Sequence, residues 1–546
     1  MSFTRRSALL SAGAAAASGL ILPRFAIAQA DSRPTVVIAV QKVSNSNTLD
    51  VLREQSNVGE RSMFTSLWEG LIGRDWLGKL GPVPELATEW TRLSDSAVEL
   101  KLRQGVKFHN GDEMTADDVV FSFSAARMFG DTLPTAQGKT IPLGGDVIPG
   151  RAGKELPAEV PAVGRRNWPA LQRVEAVDKY TVRFINATPD VTLEGRISRY
   201  GSQIMNRRAY EEAGSWLEWA RKPVLTGPYK IAEFRPDNML RLVAHDEYWG
   251  GRPPVKEIRF VEVPEVSSRI NGLLSGEYTF ACDIPPDQID SIEKNRAFEV
   301  LGGTILNHRI SCFDKTLPAL RDARVRRAMT HAIDRNAIVE SLWAGRTVVP
   351  AGLQWDYYGD MFIKGWTVPK YDQAEARKLL KEAGYKGEPI PYRLLNNYYT
   401  NQTPTAQVLV EMWKQVGLNV QIEMKENWSQ ILDRNGQRGV WDWSNSAPFN
   451  DPVSSIVNQH GPNGQQQQVG AWSNDEMNRL SVELETSTDR ARRKQVFARM
   501  LEICEREDPA YQVLHQNATF TAKRRDVKWK VAAAFAMDFR PGNWGV

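Results

Sequence analysis

Cysteine is nearly absent: Cys282, Cys312 and Cys504 are the only three in 546 residues, with no close pair among them. That excludes a dense disulfide framework and closely spaced thiol zinc motifs, and it leaves at least one thiol unpaired. Buried, inert thiols are the expectation. The six histidines are scattered, none three or four residues from another, so no helical metal pair exists and no metal or other cofactor is expected. No Gly-x-Ser-x-Gly elbow, phosphate-binding glycine loop or fixed-period repeat occurs, which leaves an enzyme reading without positive support. An excess of charge is missing too. Of the net +4, residues 1–30 supply Arg5, Arg6 and Arg24 with no acid, and the remainder holds 66 basic against 65 acidic residues. An electrostatic nucleic-acid binder is therefore excluded.

What is present begins with an export signal over residues 1–30. Thr4-Arg5-Arg6-Ser7 precedes a weakly apolar stretch, Ala8 to Leu22, and Ala28-Gln29-Ala30 offers a small-x-small cleavage site. The stretch is short of the roughly 20 residues a membrane span needs. The paired arginines resemble a twin-arginine signal, although Ala8 stands where a bulky apolar residue is usual. At 61.4 kDa the chain exceeds one ordinary core, so two lobes are expected. Its 42% hydrophobic and 25% charged content is that of a soluble globular protein.

Residues 35–40 are a β-branched apolar run, as for a strand buried on both faces. Thr115 before Asp117-Asp118 and Val119 reads as a helix cap, which explains that acidic pair without catalysis. Repeated Gly and Pro over 128–170 predict a long surface loop or insertion. The C-terminal half is more regular. Val325, Ala328, Met329, Ala332 and Ile333 fall on one helical face. Asp372 starts another helix and Gly384 ends it. A strand at 390–395, a helix from about Pro404 to Gly417 and a strand with Leu418, Val420, Ile422 and Met424 alternating form a βαβ unit with parallel strands. Gln465 to Gln468 read as a short polar loop.

Tryptophan is abundant, at 17 residues. Trp441, Trp443 and Phe449 cluster with Asn445 and Asn450, and a second aromatic–amide cluster runs Asn396-Asn397-Tyr398-Tyr399. Rigid aromatic surfaces beside directional amides suit a ligand cleft, and the second cluster follows a strand end, where open α/β sheets place ligands. Trp441, Trp443, Asn445, Phe449, Asn450, Asn397, Tyr398 and Tyr399 are the candidate ligand-binding residues. The competing reading is that some of these rings are core.

Several segments, in this order, resemble the peptide, opine and nickel group of extracytoplasmic solute-binding proteins, family 5. They are Pro84-Glu85-Leu86-Ala87, Leu102 through Gly111, Thr115-Ala116-Asp117-Asp118-Val119, Thr226-Gly227-Pro228-Tyr229, Tyr248-Trp249, and Arg324-Val325-Arg326-Arg327-Ala328 leading to Ala332-Ile333-Asp334-Arg335. The resemblance implies an α/β, two-lobed periplasmic-binding-protein-like fold with an extra subdomain in the first lobe. Lobe I would span 31–300 with the subdomain at 82–210, lobe II 301–510, and 511–546 would return to lobe I. Hinge crossings are expected near 300–310 and 508–516. The implied function is that of a monomeric, periplasmic, non-enzymatic receptor, which closes on a peptide, opine or similar polar molecule and docks on an ABC permease. Exported hydrolases and periplasmic peptide-binding chaperone or sensor subunits are the alternatives.

One departure bears on the ligand. Peptide-binding members often carry an aspartate four residues before the proline of an Asp-Tyr-x-Asp-Pro-like segment, where it holds the peptide's α-ammonium. The matching segment here is Pro448-Phe449-Asn450-Asp451-Pro452. Proline has neither a side-chain acceptor nor an N–H. Asp442 or Asp451 is the candidate substitute. Free-amine peptides thus become one candidate class among opines, modified peptides, saccharides and metal chelates.

Overall fold

The computed structural model describes residues 31–130, 154–396, 398–434 and 437–545. The export signal, the middle of the 128–170 stretch and Asn397 lie outside the described residues. Pro34–Val546 is one compact unit; in the separate Met1–Arg33 unit, Arg33 bonds Asp31 at 2.6 Å.

A mixed ten-stranded sheet runs through the main unit. In spatial order its strands are Val420–Lys425, Ile390–Leu395, Val440–Ser446, Phe298–Phe313, Tyr511–Arg524, Phe280–Ala281, Thr35–Val40, Glu257–Glu262, Met239–Ala244 and Tyr229–Arg235. Thr35–Val40 is flanked by parallel partners at both edges, and the successive residues Ile38, Ala39 and Val40, which point to alternate faces, are all buried, as its continuous apolar run requires. A separate four-stranded antiparallel sheet is built from Ala87–Ser94, Ala97–Leu102, Thr181–Asn186 and Leu171–Asp178. Its strands all come from the first part of the chain, as the subdomain of the two-lobed fold requires.

Two long strands, Phe298–Phe313 and Tyr511–Arg524, join the halves of the large sheet and pair antiparallel from Phe298↔Arg524 to Cys312↔Tyr511. Their register breaks between Thr304 and His308 and again between Arg309 and Ile310. Gly302 sits at φ +136°, where an added Cβ would lie 1.9 Å from the Thr519 carbonyl oxygen, so only glycine fits this crossing. Beyond it, residues 529–539 enter the first hydrophobic core with Val36, Trp68 and Phe184. Thr65 Oγ1 donates to the Met537 carbonyl at 2.8 Å, and Tyr229 OH to that of Phe539 at 2.9 Å.

The second half follows its sequence pattern. Asp372 accepts from the Glu375 N–H at 2.9 Å to cap the helix Gln373–Ala383, and Gly384 ends it at φ +70°. Ile390–Leu395 and Val420–Lys425 pair in parallel around the helix Gln402–Gln415, with Leu409 and Trp413 inward. Two expectations are corrected. Within 128–170, Glu159–Asn167 is helical. Pro161 falls in its first turn, where the missing N–H costs nothing, and Gly164 lets Phe129 pack close. Gln465–Gln468 is one helical turn, held by the buried Gln466, whose Nε2 approaches Cys312 Sγ at 3.3 Å. All three cysteines are free and buried.

Candidate ligand-binding cleft

On the first-half side, a loop is organised around the buried Glu54. Its Oε2 accepts from Ser44 Oγ (2.8 Å), the Asn45 N–H (2.9 Å), and both the N–H and Oγ of Ser46 (2.8 and 2.6 Å). Ser56 then caps the helix Asn57–Met63. One carboxylate thus fixes the segment that presents Asn45 and Asn57.

Tyr398 reaches these amides from the opposite half, just beyond the strand Ile390–Leu395. Its hydroxyl donates to Asn57 Oδ1 at 2.6 Å and accepts from Asn45 Nδ2 at 3.2 Å. Burial holds its pKa well above the phenol range, so it remains a donor. Behind it stands an edge-to-face aromatic wall. Tyr398 meets Tyr399 at 4.7 Å and Trp428 at 5.0 Å, and Trp428 meets Trp443 at 4.7 Å between centroids.

Tyr399 anchors the wall. Its hydroxyl donates to Ser444 Oγ at 3.1 Å, and the Arg309 guanidinium lies 3.7 Å over its ring. Arg309 is ion-paired with Asp442, which also accepts from Gln402 Nε2 at 2.7 Å. Burial pushes the Asp442 carboxyl up to about 6 against the pull of Arg309. Asp451 is held by Arg493 through two bonds of 2.9 and 2.8 Å, and it caps the Val453 N–H. Both carboxylates named as replacements for the missing ammonium anchor are therefore engaged with protein cations. Pro448 itself is buried.

The structure thus gathers Tyr398, Tyr399 and Trp443 into one wall. Trp441 is fully buried and Phe449 is 2% exposed, both within the core that also holds Trp355 and Phe497. Phe449 also faces the first half: a Cβ on Gly195 would come within 2.7 Å of its ring. Asn445 is buried, its Nδ2 3.3 Å from Gln459 Oε1, while Asn450 is exposed and outside the wall. Sequence reasoning missed Asn45, Asn57 and Trp428. The first two lie some 340 residues from Tyr398 in the chain, and only Asn427 capping Trp428–Leu432 hinted at the third.

The motifs behind the family resemblance serve the scaffold. Glu69 accepts from Tyr248 OH at 2.7 Å and Trp249 Nε1 at 3.1 Å, and neighbouring Glu85 accepts from the Gly70 N–H at 2.6 Å. Burial, then the Glu69 charge, push Glu85 up to about 8. A Cβ at Gly227 would stand 2.4 Å from the Leu67 carbonyl oxygen. Arg326 is ion-paired with Asp508 and donates to the Pro509 carbonyl at 2.8 Å, and Arg335 donates to that of Val513 at 2.6 Å. These two arginines pin the start of the second crossing strand.

Among the described residues no helix is long and apolar enough to cross a membrane, and no group of three His, Cys, Asp or Glu converges as a metal site. The chain is 25% identical over 479 residues to the dipeptide-binding protein of Escherichia coli K12, covering 83% of this chain and 84% of the relative. It is 26% identical over 494 residues to heme-binding protein A of Haemophilus influenzae, covering 83% and 82%. The fold matches the dipeptide-binding protein of Pseudoalteromonas sp. SM9913, solved with Met-Leu, at a TM-score of 0.79 and 20% identity over 93% of this chain and 99% of that one. Residues 81–467 match the description "bacterial extracellular solute-binding proteins, family 5 Middle", and the chain belongs to that family of binding proteins.

Proposed function

We propose that this protein is an exported receptor that captures a peptide, opine or similar polar molecule between its halves and delivers it to an ABC permease. The observation that carries the reading is the Tyr398 hydroxyl, bonded at once to Asn45 and Asn57 across the interface, with the Tyr399–Trp428–Trp443 wall behind it. Such an arrangement offers apolar surface for burial and a few fixed polar groups for orientation. The hinge lies at the register breaks of the two crossing strands, so that closing buries ligand and wall together. Relatives named for dipeptides, glutathione and heme support a peptide-sized polar ligand. The engaged state of Asp442 and Asp451 favours one without a dominant ammonium anchor. Export through the paired arginines, work in the periplasm and a monomeric state complete the reading.

Native mass spectrometry of the protein purified without added ligand, followed by denaturation, tests it. The expected result is a released small molecule that rebinds the emptied protein unchanged. A molecule returned as a reaction product would favour the exported hydrolase instead.

A further inference from the structure

A cavity of about 220 Å³ lies between the segments 166–199 and 453–486, on opposite sides of the same interface. Three arginines line it: Arg166, Arg196 and Arg199. Arg196 is neutralised, by Asp190 at 2.7 Å and Glu485 at 2.6 Å, and those are the two carboxylates of the lining. The other two arginines have no such partner. Arg199 is only 2% exposed and its Nε is buried without a partner. Among the described residues its guanidinium makes no hydrogen bond or ion pair, and lies 5.8 Å over the Tyr200 ring, which carries no formal counter-charge. Arg166 Nε is likewise buried with no partner. Asn458 stands on the facing wall; its Oδ1, an acceptor without a donor, cannot hold an anion, and only its Nδ2 could donate to one. Arg199 is pushed down to about 9 by burial, with Arg166 and Arg196 adding to the effect and the Tyr200 phenol opposing it.

A buried guanidinium without a counter-charge is among the costliest groups a fold can carry, so its persistence calls for a charge from outside the chain. Planar, two-pronged guanidinium donors match carboxylate and phosphate oxygens, which accept two parallel bonds. We infer that this cavity binds an oxyanion group, carboxylate or phosphate, on Arg166 and Arg199, with the facing wall of the second half closing over it. Because the lining comes from both halves, the anion also ties the closed form together. The inference rests on the receptor reading only for its source: the oxyanion is either part of the captured solute or a free anion.

Thermal denaturation at constant ionic strength, exchanging chloride for inorganic phosphate, tests the site in wild type, Arg199→Gln and Arg166→Gln. The wild-type midpoint should rise and saturate, and each variant should show an apparent affinity at least about tenfold weaker. Without phosphate, Arg199→Gln should be at least as stable as wild type, because it removes an unpaired charge. A non-saturating rise shared equally by all three proteins is a general salt effect and overturns the inference. Native mass spectrometry then separates the sources. A co-purified solute lost in Arg199→Gln carries the oxyanion itself, and a solute retained equally assigns the cavity to a free anion. A saturable, arginine-dependent phosphate response in a protein that never holds a solute would leave the anion site standing and defeat the receptor reading.

Discussion

Trp441 and Trp443 are two positions apart on one strand, yet the structure gives them different surroundings. Trp441 has no exposed surface, whereas Trp443 is half-buried with its ring against Trp428. Trp441→Ala should open a core cavity and cost about 3–5 kcal/mol of stability in urea denaturation. Trp443→Ala should lose less stability but weaken ligand by about tenfold or more in calorimetric titration, as for an aromatic hot spot. Equal stability losses with unchanged affinity in the refolded Trp443 variant would make both rings core. The sequence made the aromatic cluster legible, because aromatic and amide residues recur within ten positions. Which ring is core and which is wall was not legible. That depends on the helix Trp428–Leu432 arriving from elsewhere to cover one ring, a packing fact that periodicity does not encode.

At the scale of elements, the caps and the βαβ unit were readable because each rests on local chemistry: Asp372 and Gly384 act within one turn of their helix. The helix Glu159–Asn167 was hidden because it holds a proline, Pro161, which falls where a helix start tolerates it. The crossing strands were expected near 300–310 and 508–516 only through the family resemblance, and their own pattern is silent for another reason. Residues 307–313 are buried throughout, so no alternation marks them, and His308, Arg309 and Ser311 interrupt the apolar run. Their glycine can be tested directly. Gly302→Ala drives a Cβ against the Thr519 carbonyl oxygen and imposes a φ that alanine avoids. A loss of about 2–4 kcal/mol is expected in chemical denaturation, since steric overlap adds to the backbone strain. Glycine at the adjacent position, Gly303, meets nothing within 4 Å. At a φ of +157° Gly303→Ala also meets backbone strain but no steric overlap, so it should cost clearly less. Similar losses in both variants would show that the close crossing is not what selects glycine at 302.

At the scale of the whole molecule, the polar bonds that span the interface among the described residues are few and separated. Tyr398 bonds Asn57 and Asn45, Tyr357 OH donates to the Leu80 carbonyl at 2.8 Å, Arg74 donates to the Ala447 carbonyl at 3.2 Å, Gln468 Nε2 donates to the Ala162 carbonyl at 3.2 Å, and Arg196 pairs with Glu485. In the receptor proposed above, a closed state held by a handful of bonds lies close in free energy to an open one, and a ligand shifts the balance only by its preference for the closed form. Tyr398→Phe keeps the ring and its packing but removes the hydroxyl serving both Asn45 and Asn57. Two lost hydrogen bonds are worth about 1–3 kcal/mol. The closed population, and with it the ligand affinity, should fall by roughly 5- to 150-fold. Small-angle scattering of the ligand-free variant should then give a larger radius of gyration than wild type, with ligand restoring the compact value only at higher concentration. Trp443→Ala should weaken binding without that expansion, because its ring packs within one half and spans nothing. If Tyr398→Phe loses affinity with an unchanged radius, the hydroxyl touches ligand and does not latch the halves, and the force for closure must come from the ligand's own contacts.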